Sequence, residues 1–173
     1  MTANISSQDL MIRRLEYGIS KKRHFFIASK EHTITSIKVT NDSKFIISVS
    51  DDKTIGIWNI ADKAISDRLE GPHSDWITSL AVTGNNKYII SGSRDTRIKV
   101  WSIEDKTLFH RFEGAHSDQI TSLAVTRDSC HIILGSNDRT IGIWNIADNT
   151  LFHRFKNAHS DSINSVVVTS DNK

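Results

Sequence analysis

The sequence predicts an all-β fold in which a unit of four antiparallel strands is repeated about four times. Isoleucines recur at a 43-residue interval, at Ile34, Ile77, Ile120 and Ile163, and the segment TIGIWNIAD stands unchanged at 54–62 and 140–148. The apolar runs within each unit are short and rich in β-branched residues, which favours strands. Helical periodicity is weak and the chain has one proline, so helical repeats of similar length fit poorly.

Each complete unit contains four predicted strands separated by turn-forming clusters such as GNN at 84–86. The first strand is predicted near 34–39, 77–82, 120–125 and 163–168, and the second near 45–49, 88–92 and 131–135. The third is predicted near 54–59, 97–102 and 140–145, and the fourth near 64–69, 107–112 and 150–155. The complete units therefore occupy residues 28–70, 71–113 and 114–156.

The two ends of the chain are predicted to share one further, split unit. A shift of two periods sets residues 6–26 against 92–112, so that Asp9 aligns with Asp95 and Phe26 with Phe112. Residues 1–27 are then the degenerate third and fourth strands of this unit, and residues 157–173 supply its first strand. The alternative for residues 1–20 is a flexible or helical tail, with a helix starting at Ser6 or Ser7 and stopping at Gly18.

Composition limits the classes of protein that fit. The 173 residues are 38% hydrophobic and 24% charged, enough for one domain-sized core. A net charge of +2 is too small to indicate nucleic acid by itself. The single cysteine, Cys130, suits a reducing compartment. Because no signal-like segment or apolar run of about 18 residues is present, we expect a cytoplasmic protein with no membrane partner.

The stretch HSDWITSLAVTGNNKYIISGSRDTRIKVW at 73–101 resembles the WD-repeat β-propeller family. The family signature is a Gly-His pair about two dozen residues before a Ser-x-Asp turn, followed by a Trp-Asp ending. The resemblance extends over residues 22–173, with departures. The Gly-His pair reads GPH, GAH and NAH at 71–73, 114–116 and 157–159, and the residue after Trp is Asn59, Ser102 or Asn145. The resemblance implies that each unit is a blade and that blades stack around a central channel.

The resemblance also implies a structural role for the polar residues that recur. In this family a loop His, a strand Ser or Thr, a turn Asp and a strand Trp form hydrogen bonds within one blade. The middle blade has the full set, which is His73, Ser91, Asp95 and Trp101. The next blade has His116, Asp138 and Trp144 but Leu134 at the Ser position; the first has Ser48, Asp52 and Trp58 but Lys30 at the His position.

The trio His-Ser-Asp, which occurs three times, raises the alternative of hydrolytic chemistry. Catalytic triads are singular, with one nucleophile beside one base, whereas three equivalent copies indicate architecture. The sequence has no Gly-x-Ser-x-Gly elbow and no glycine-rich phosphate loop. Equivalent histidines on successive blades are expected to lie far apart. We therefore predict no catalytic residues, no metal site and no cofactor.

Positions that differ between the copies are the candidates for function. They stand directly before the first strand of each unit or directly before the turn Asp, and we expect both sets on one rim of the propeller: Thr33, Trp76, Gln119 and Ser162, with Asp51, Arg94 and Asn137. Trp and Arg are the residue types most enriched in binding hot spots. The alternative is that Trp76 packs against a neighbouring loop.

The function predicted from these features is a non-catalytic scaffold or adaptor that binds other proteins or peptides through this rim. The alternative is an RNA-associated propeller that uses the basic segment 21–24 beside Phe25 and Phe26; an enzyme comes third. Closed propellers have 4–8 blades. Three arrangements stay open, namely a closed four-blade ring, a homo-oligomer that completes a larger ring, and a fragment of a longer protein. The last two are favoured over the first.

Overall fold

The computed structural model describes residues 32–69 and 71–169 and confirms the all-β fold. This part of the chain contains twelve strands and no helix. The strands are β1 (Ile34–Val39), β2 (Phe45–Ser50), β3 (Ile55–Asn59), β4 (Ala64–Leu69), β5 (Ile77–Val82), β6 (Tyr88–Ser93), β7 (Ile98–Ser102), β8 (Leu108–Phe112), β9 (Ile120–Val125), β10 (His131–Ser136), β11 (Ile141–Asn145) and β12 (Thr150–Phe155). Each begins and ends within one residue of its predicted position.

The twelve strands form three four-stranded antiparallel sheets, each an up-and-down meander. Sheet 1 has the order β1-β2-β3-β4, sheet 2 the order β5-β6-β7-β8 and sheet 3 the order β9-β10-β11-β12. In sheet 1 and sheet 2 the third and fourth strands shift register at the same place, between Ile57 and Trp58 and between Val100 and Trp101. Sheet 3 repeats the shift between Ile143 and Trp144, so the 43-residue period is repeated in the bulges as well as in the strands.

Two apolar cores hold the sheets together, one at each sheet-to-sheet contact. The core between sheets 1 and 2 contains Ile47, Ile57 and Leu80. The core between sheets 2 and 3 contains Val100, Phe112 and other buried residues of both sheets. Side chains alternate between the two faces of a strand, so a sheet in the middle of the stack buries apolar residues on both faces. This explains why every residue of β7 is buried.

The innermost strands of successive sheets are joined by one recurring hydrogen bond. The hydroxyl of Thr35 donates to the carbonyl oxygen of Ile77 at 2.5 Å, and that of Thr78 donates to the carbonyl oxygen of Ile120 at 2.5 Å. Thr121 donates in the same way to the carbonyl of Ile163. These threonines are one period apart, so the contact between sheets is part of the repeat.

Residues 163–168, where the sequence predicts a first strand, form no strand in the described part of the chain. The segment nevertheless lies against sheet 3, because the N–H of Ile163 donates to the carbonyl of Ser136 at 3.1 Å and the N–H of Val166 donates to the hydroxyl of Ser122 at 3.1 Å. A strand needs a ladder with a neighbouring strand, and no described second strand follows this segment. The predictions for residues 1–27 and for Lys30 lie outside the described residues.

Candidate functional site

The structure brings the variable rim positions together in pairs, one pair in each sheet. The N–H of Asp51 donates to the carbonyl of Thr33 at 3.1 Å, that of Arg94 to the carbonyl of Trp76 at 3.0 Å, and that of Asn137 to the carbonyl of Gln119 at 3.1 Å. The same backbone bond therefore holds different side chains at equivalent places. The backbone geometry at this place is thus the same in all three sheets, whereas the side chains held there differ.

The pair in sheet 2 is an aromatic ring stacked under a cation. The guanidinium carbon of Arg94 lies 4.1 Å from the ring centroid of Trp76, within the range of a cation–π contact. Trp76 is 42% exposed, and Arg94 is exposed as well. Packing of Trp76 against a neighbouring loop was the alternative; the ring contact found is with Arg94 of the same sheet.

The flanking pairs have a different character. In sheet 1 the carboxylate of Asp51 accepts from the N–H of Thr33 at 2.9 Å and lies 3.6 Å from the ring of His32. In sheet 3 both Gln119 and Asn137 are half-buried amides. Ser162 is half-buried in the segment that follows β12. The rim thus runs from a carboxylate through a Trp–Arg pair to two amides.

In sheet 2 the repeated trio His-Ser-Asp, at residues 73–75, orders the loop before β5 through hydrogen bonds. His73 Nδ1 lies 2.9 Å from an Asp95 carboxylate oxygen, and the N–H of Ser74 donates to the same carboxylate at 2.9 Å. Asp75 accepts from the N–H of Trp76 at 2.7 Å and so holds the loop at the exposed ring. The Ser74 hydroxyl is 3.4 Å from Asp95. This arrangement orders the loop that carries Trp76.

A chain of hydrogen bonds connects four buried side chains in sheet 2. The indole N–H of Trp101 donates to the hydroxyl of Ser91 at 3.2 Å, and that hydroxyl lies 2.8 Å from His73 Nε2. A neutral His73 imidazole with its proton on Nδ1 donates to Asp95 and accepts at Nε2 from the Ser91 hydroxyl, which itself accepts from Trp101. Each hydrogen bond in this chain then has one donor proton. The sequence-predicted set therefore forms one connected network.

The electrostatics agree with a neutral ring and an ionised carboxylate. Burial lowers the pKa of His73, although the hydrogen bond to Asp95 acts in the opposite direction. Burial acts to raise the pKa of Asp95, but the hydrogen bonds from His73 and from the N–H groups of Ser74 and Arg97 outweigh it and hold that pKa well below its usual range. The network is thus built around one buried charge with several donors.

Sheet 3 keeps only part of this network. His116 Nδ1 lies 2.9 Å from Asp138, while Leu134 stands where Ser91 stands in sheet 2. As a result His116 Nε2 and Trp144 Nε1 are buried with no hydrogen-bond partner among the described residues. Burial acts to raise the pKa of Asp138, but bonds from Thr140 and from the N–H of Ser117 lower it to about 2. His159, the third loop histidine, is exposed.

Sheet 1 keeps a different part. Trp58 Nε1 donates to the hydroxyl of Ser48 at 2.9 Å. Asp52 accepts from the N–H and the hydroxyl of Thr54 at 2.9 and 2.7 Å and lies 3.7 Å from an Arg68 nitrogen. Asp52 therefore accepts the same hydrogen bond within its turn as Asp95 accepts from the N–H of Arg97. It has no counterpart of the buried His73 among the described residues.

Sequence reasoning missed two cations that support the loop before each network histidine. Lys99, a buried residue of β7, donates to the carbonyl of Pro72. The carbonyl of Ala115, one period after Pro72, accepts in the same way from Arg154 of β12. Burial lowers the pKa of Lys99. The signal available in the sequence for Lys99 was a lysine at a strand position where glycine stands in the other two copies, at Gly56 and Gly142.

Other classes of site find no support within the described part of the chain. Residues 32–69 and 71–169 contain no group of His, Cys, Asp and Glu that could hold a metal ion. No helix among the described residues is long and apolar enough to cross a bilayer.

Comparison with protein families matches the model described as "WD domain, G-beta repeat" at residues 20–59, 67–102 and 106–145. No curated protein matches the chain. Among solved structures, the crystal structure of RRP9 WD40 repeats has a TM-score of 0.73 at 26% sequence identity, covering 79% of this chain and 42% of that chain. The structure of U3-55K gives the same TM-score, identity and coverage of this chain, with 43% of that chain covered. The chain thus spans less than half the length of both chains.

Proposed function

The chain belongs to the WD-repeat family, and on that basis we propose that it is a non-catalytic scaffold that binds other proteins or peptides through its loop rim. The observation that carries the proposal is the Trp76 ring, exposed on the rim and stacked under the Arg94 guanidinium at 4.1 Å. Trp and Arg are the residues most often found at the energetic centre of interfaces. The copies of the His-Ser-Asp trio support the non-catalytic role, because they serve the loops.

The Trp–Arg pair is preorganised for binding. Backbone hydrogen bonds hold both residues in the free chain, and the stacking orders the long Arg94 side chain, so less conformational entropy is lost on binding. A stacked guanidinium keeps its edge N–H groups available for a carboxylate. We propose that the partner is an extended peptide that places an apolar side chain on Trp76 and an acidic group beside Arg94.

The test is a peptide-display selection on the wild-type chain, followed by affinity measurements on Trp76→Ala and on the control Asn137→Ala. Trp76→Ala is expected to weaken the selected peptides by about 30-fold or more, which corresponds to a hot-spot loss of about 2 kcal/mol. The control lies on the same rim and is expected to change affinity by less than about 5-fold. Unchanged peptide binding by Trp76→Ala, or a matching fall in melting temperature, contradicts the proposal.

The alternative function is RNA association through the basic segment 21–24, which lies outside the described residues. Lysine and arginine next to Phe25 and Phe26 suit phosphate neutralisation and base stacking. A single-stranded RNA oligonucleotide whose affinity falls steeply with salt, and is lost in Lys21→Glu, would favour this alternative.

We propose the cytoplasm as the place of action, because the single cysteine suits a reducing compartment.

A further inference from the structure

A groove lies between sheets 1 and 2, beside the turns that join β5 to β6 and β7 to β8. Its volume is about 550 Å³, within the range of about 300–1,000 Å³ that is usual for small-ligand sites. Sheet 1 contributes Phe45 and Ser66, and sheet 2 contributes residues 86–88, residues 102–106 and Phe109. Both walls belong to sheets that share an apolar core, so the groove is a feature of a sheet-to-sheet contact within the chain.

Sheet 1 has a small residue in this groove where the other two sheets have an aromatic ring. In sheets 2 and 3 a phenylalanine of the fourth strand contacts the ring at the start of the second strand, namely Phe109 on Tyr88 with 4.6 Å between centroids and Phe152 on His131 with 5.2 Å. The equivalent positions in sheet 1 are Ser66 and Phe45. The Phe45 ring therefore lacks the aromatic neighbour that the repeat supplies in the other two sheets.

Contacts between the two sheets hold the walls of the groove in place. Ile103 is partly buried and packs against the core between sheets 1 and 2. The Asn86 side chain accepts from the N–H of Asn41 at 2.7 Å, which joins a turn of sheet 2 to a turn of sheet 1. Lys106 Nζ lies 3.1 Å from a carboxylate oxygen of Asp67, which joins a second turn of sheet 2 to the outer strand of sheet 1. A groove that is already formed costs less conformational entropy when a ligand binds.

The charges around the groove favour a cationic group on the ligand. Lys106 and Asp67 form an ion pair, so their charges cancel. The other charged residues that line the groove are two carboxylates, Glu104 and Asp105, and one ammonium group, Lys87. Negative charge therefore exceeds positive charge. The faces of the three aromatic residues that line the groove attract cations as well.

We propose that this groove binds a short segment of a partner protein in which an aromatic side chain stands next to a basic residue. The aromatic side chain contacts the Phe45 ring and takes the place that Phe109 and Phe152 have in the other sheets. The basic residue lies beside Glu104 and Asp105, so its charge complements the excess of carboxylates. The chain then has a second ligand site besides the rim.

The groove and the rim are separate surfaces. The rim loops precede the first strand of a sheet or join its second strand to its third, whereas the groove lies beside the turns that follow the first and third strands. Because neighbouring strands are antiparallel, these two sets of connections lie at opposite ends of each sheet. Trp76→Ala is therefore expected to leave binding in the groove unchanged, and the failure of one proposal does not imply the failure of the other.

The first experiment is an NMR titration of the full chain with the capped dipeptide N-acetyl-Phe-Arg-amide. The signals of Phe45, Tyr88 and Ile103, which line the groove, are expected to shift and to saturate. N-acetyl-Ala-Arg-amide lacks the ring and N-acetyl-Phe-Glu-amide reverses the charge, so each is expected to bind at least about 5-fold more weakly. Absence of these shifts up to about 10 mM dipeptide, as would follow if another segment of the chain fills the groove, overturns the proposal.

Ser66→Phe supplies the aromatic ring from the chain itself. Because sheets 2 and 3 have phenylalanine at this position, the variant is expected to fold and to keep its midpoint of unfolding in urea. Its affinity for N-acetyl-Phe-Arg-amide is expected to fall by about 10-fold or more, because the place of the ligand ring is occupied. Ala64→Phe is the matched control, since it adds the same side chain to β4 at a position that does not line the groove. Unchanged binding by Ser66→Phe, or equal losses in both variants, contradicts the proposal.

Glu104→Lys tests the charge separately and changes only an exposed turn residue. It is expected to weaken N-acetyl-Phe-Arg-amide by about 5-fold and to strengthen N-acetyl-Phe-Glu-amide. The same change in affinity for both dipeptides would show that the basic residue does not lie beside Glu104, and the proposal would be wrong in its choice of partner. Circular dichroism verifies that each variant is folded.

Discussion

Replacement of Asp95 by alanine tests the buried network most directly. The Asp95 side chain is 3% exposed and accepts hydrogen bonds from His73 Nδ1 at 2.9 Å, from the N–H of Ser74 at 2.9 Å and from the N–H of Arg97 at 3.0 Å. Asp95→Ala leaves the buried His73 donor without its partner. A buried donor left in this way costs about 1–3 kcal/mol, and the charge-assisted bond itself contributes about 1.5–3 kcal/mol.

Asp52 provides the matched comparison, because it occupies the same turn in sheet 1. It accepts from the N–H of Thr54 at 2.9 Å, as Asp95 accepts from Arg97, so the loss of this turn bond cancels between the two variants. Its further contacts are the Thr54 hydroxyl and an Arg68 nitrogen at 3.7 Å. Partly exposed ion pairs contribute about 0–1 kcal/mol. Asp95→Ala is therefore expected to lose about 2 kcal/mol more stability than Asp52→Ala.

The assay is urea unfolding of both variants and the wild type, followed by circular dichroism and tryptophan emission. Equal urea dependence of the free energy in all three proteins verifies that the same surface unfolds. The double variant with His73→Asn adds a thermodynamic cycle, in which Asp95 and His73 should show a coupling of about 1–3 kcal/mol. Equal losses for Asp95→Ala and Asp52→Ala, or no coupling to His73, would refute this account of the network.

Three further predictions concern titration, exposure and close packing. Burial lowers the pKa of His73, so the unfolded chain takes up a proton near pH 6.5 and the folded chain only at lower pH. Stability should therefore fall as the pH drops below about 6.5, and less steeply in His73→Gln; an equal change in His159→Gln, which alters an exposed ring, would contradict this. Trp76 is exposed while the other three tryptophans are 7–8% exposed, so iodide should quench about a quarter of the emission and Trp76→Phe should abolish that fraction; quenching that persists in the variant would contradict it. A Cβ at Gly92 would lie 2.5 Å from the buried Ser79 hydroxyl and 2.7 Å from a methyl group of Ile120, which is held in strand β9. A Cβ at Gly135 would instead meet Ile163, which belongs to no strand. Gly92→Ala should therefore cost about 1–3 kcal/mol in urea unfolding and Gly135→Ala less; the reverse order would show that segment 161–169 is held more firmly than β9.

The strands could be predicted because the repeat shows the same alternation of short apolar runs and turn clusters several times. A single apolar run is ambiguous between strand and buried helix, but the run ITSLAV at 77–82 and 120–125 follows His-Ser-Asp each time and ends at a turn-forming cluster, GNN at 84–86 or RDS at 127–129. The register shift before Trp58, Trp101 and Trp144 was not predicted. A bulge depends on the pairing between two strands, which the order of residues in one strand does not show.

The candidate site was predictable in position and only partly in geometry. The sequence predicts that Trp76 and Arg94, 18 residues apart, lie on one rim, because both stand at places where the copies differ. Their stacking depends on the rotamers of two long side chains, which the sequence does not determine. Residues 163–168 form no strand because a strand needs a ladder of backbone hydrogen bonds, whereas this segment is held by the N–H of Ile163 on the Ser136 carbonyl and the N–H of Val166 on the Ser122 hydroxyl.

The supporting cations show why motif matching underestimates what the repeats share. Lys99 reaches the carbonyl of Pro72 from the third strand, whereas Arg154 reaches the carbonyl of Ala115 from the fourth. The two carbonyls are one period apart, but the two donors are not. A buried carbonyl needs a hydrogen-bond donor. The carbonyl therefore recurs in both sheets, whereas the residue that donates to it comes from a different strand in each. The shared element is therefore the acceptor before the network histidine. A variant that removes Lys99 should disturb the loop before His73, as one that removes Arg154 should disturb the equivalent loop before His116.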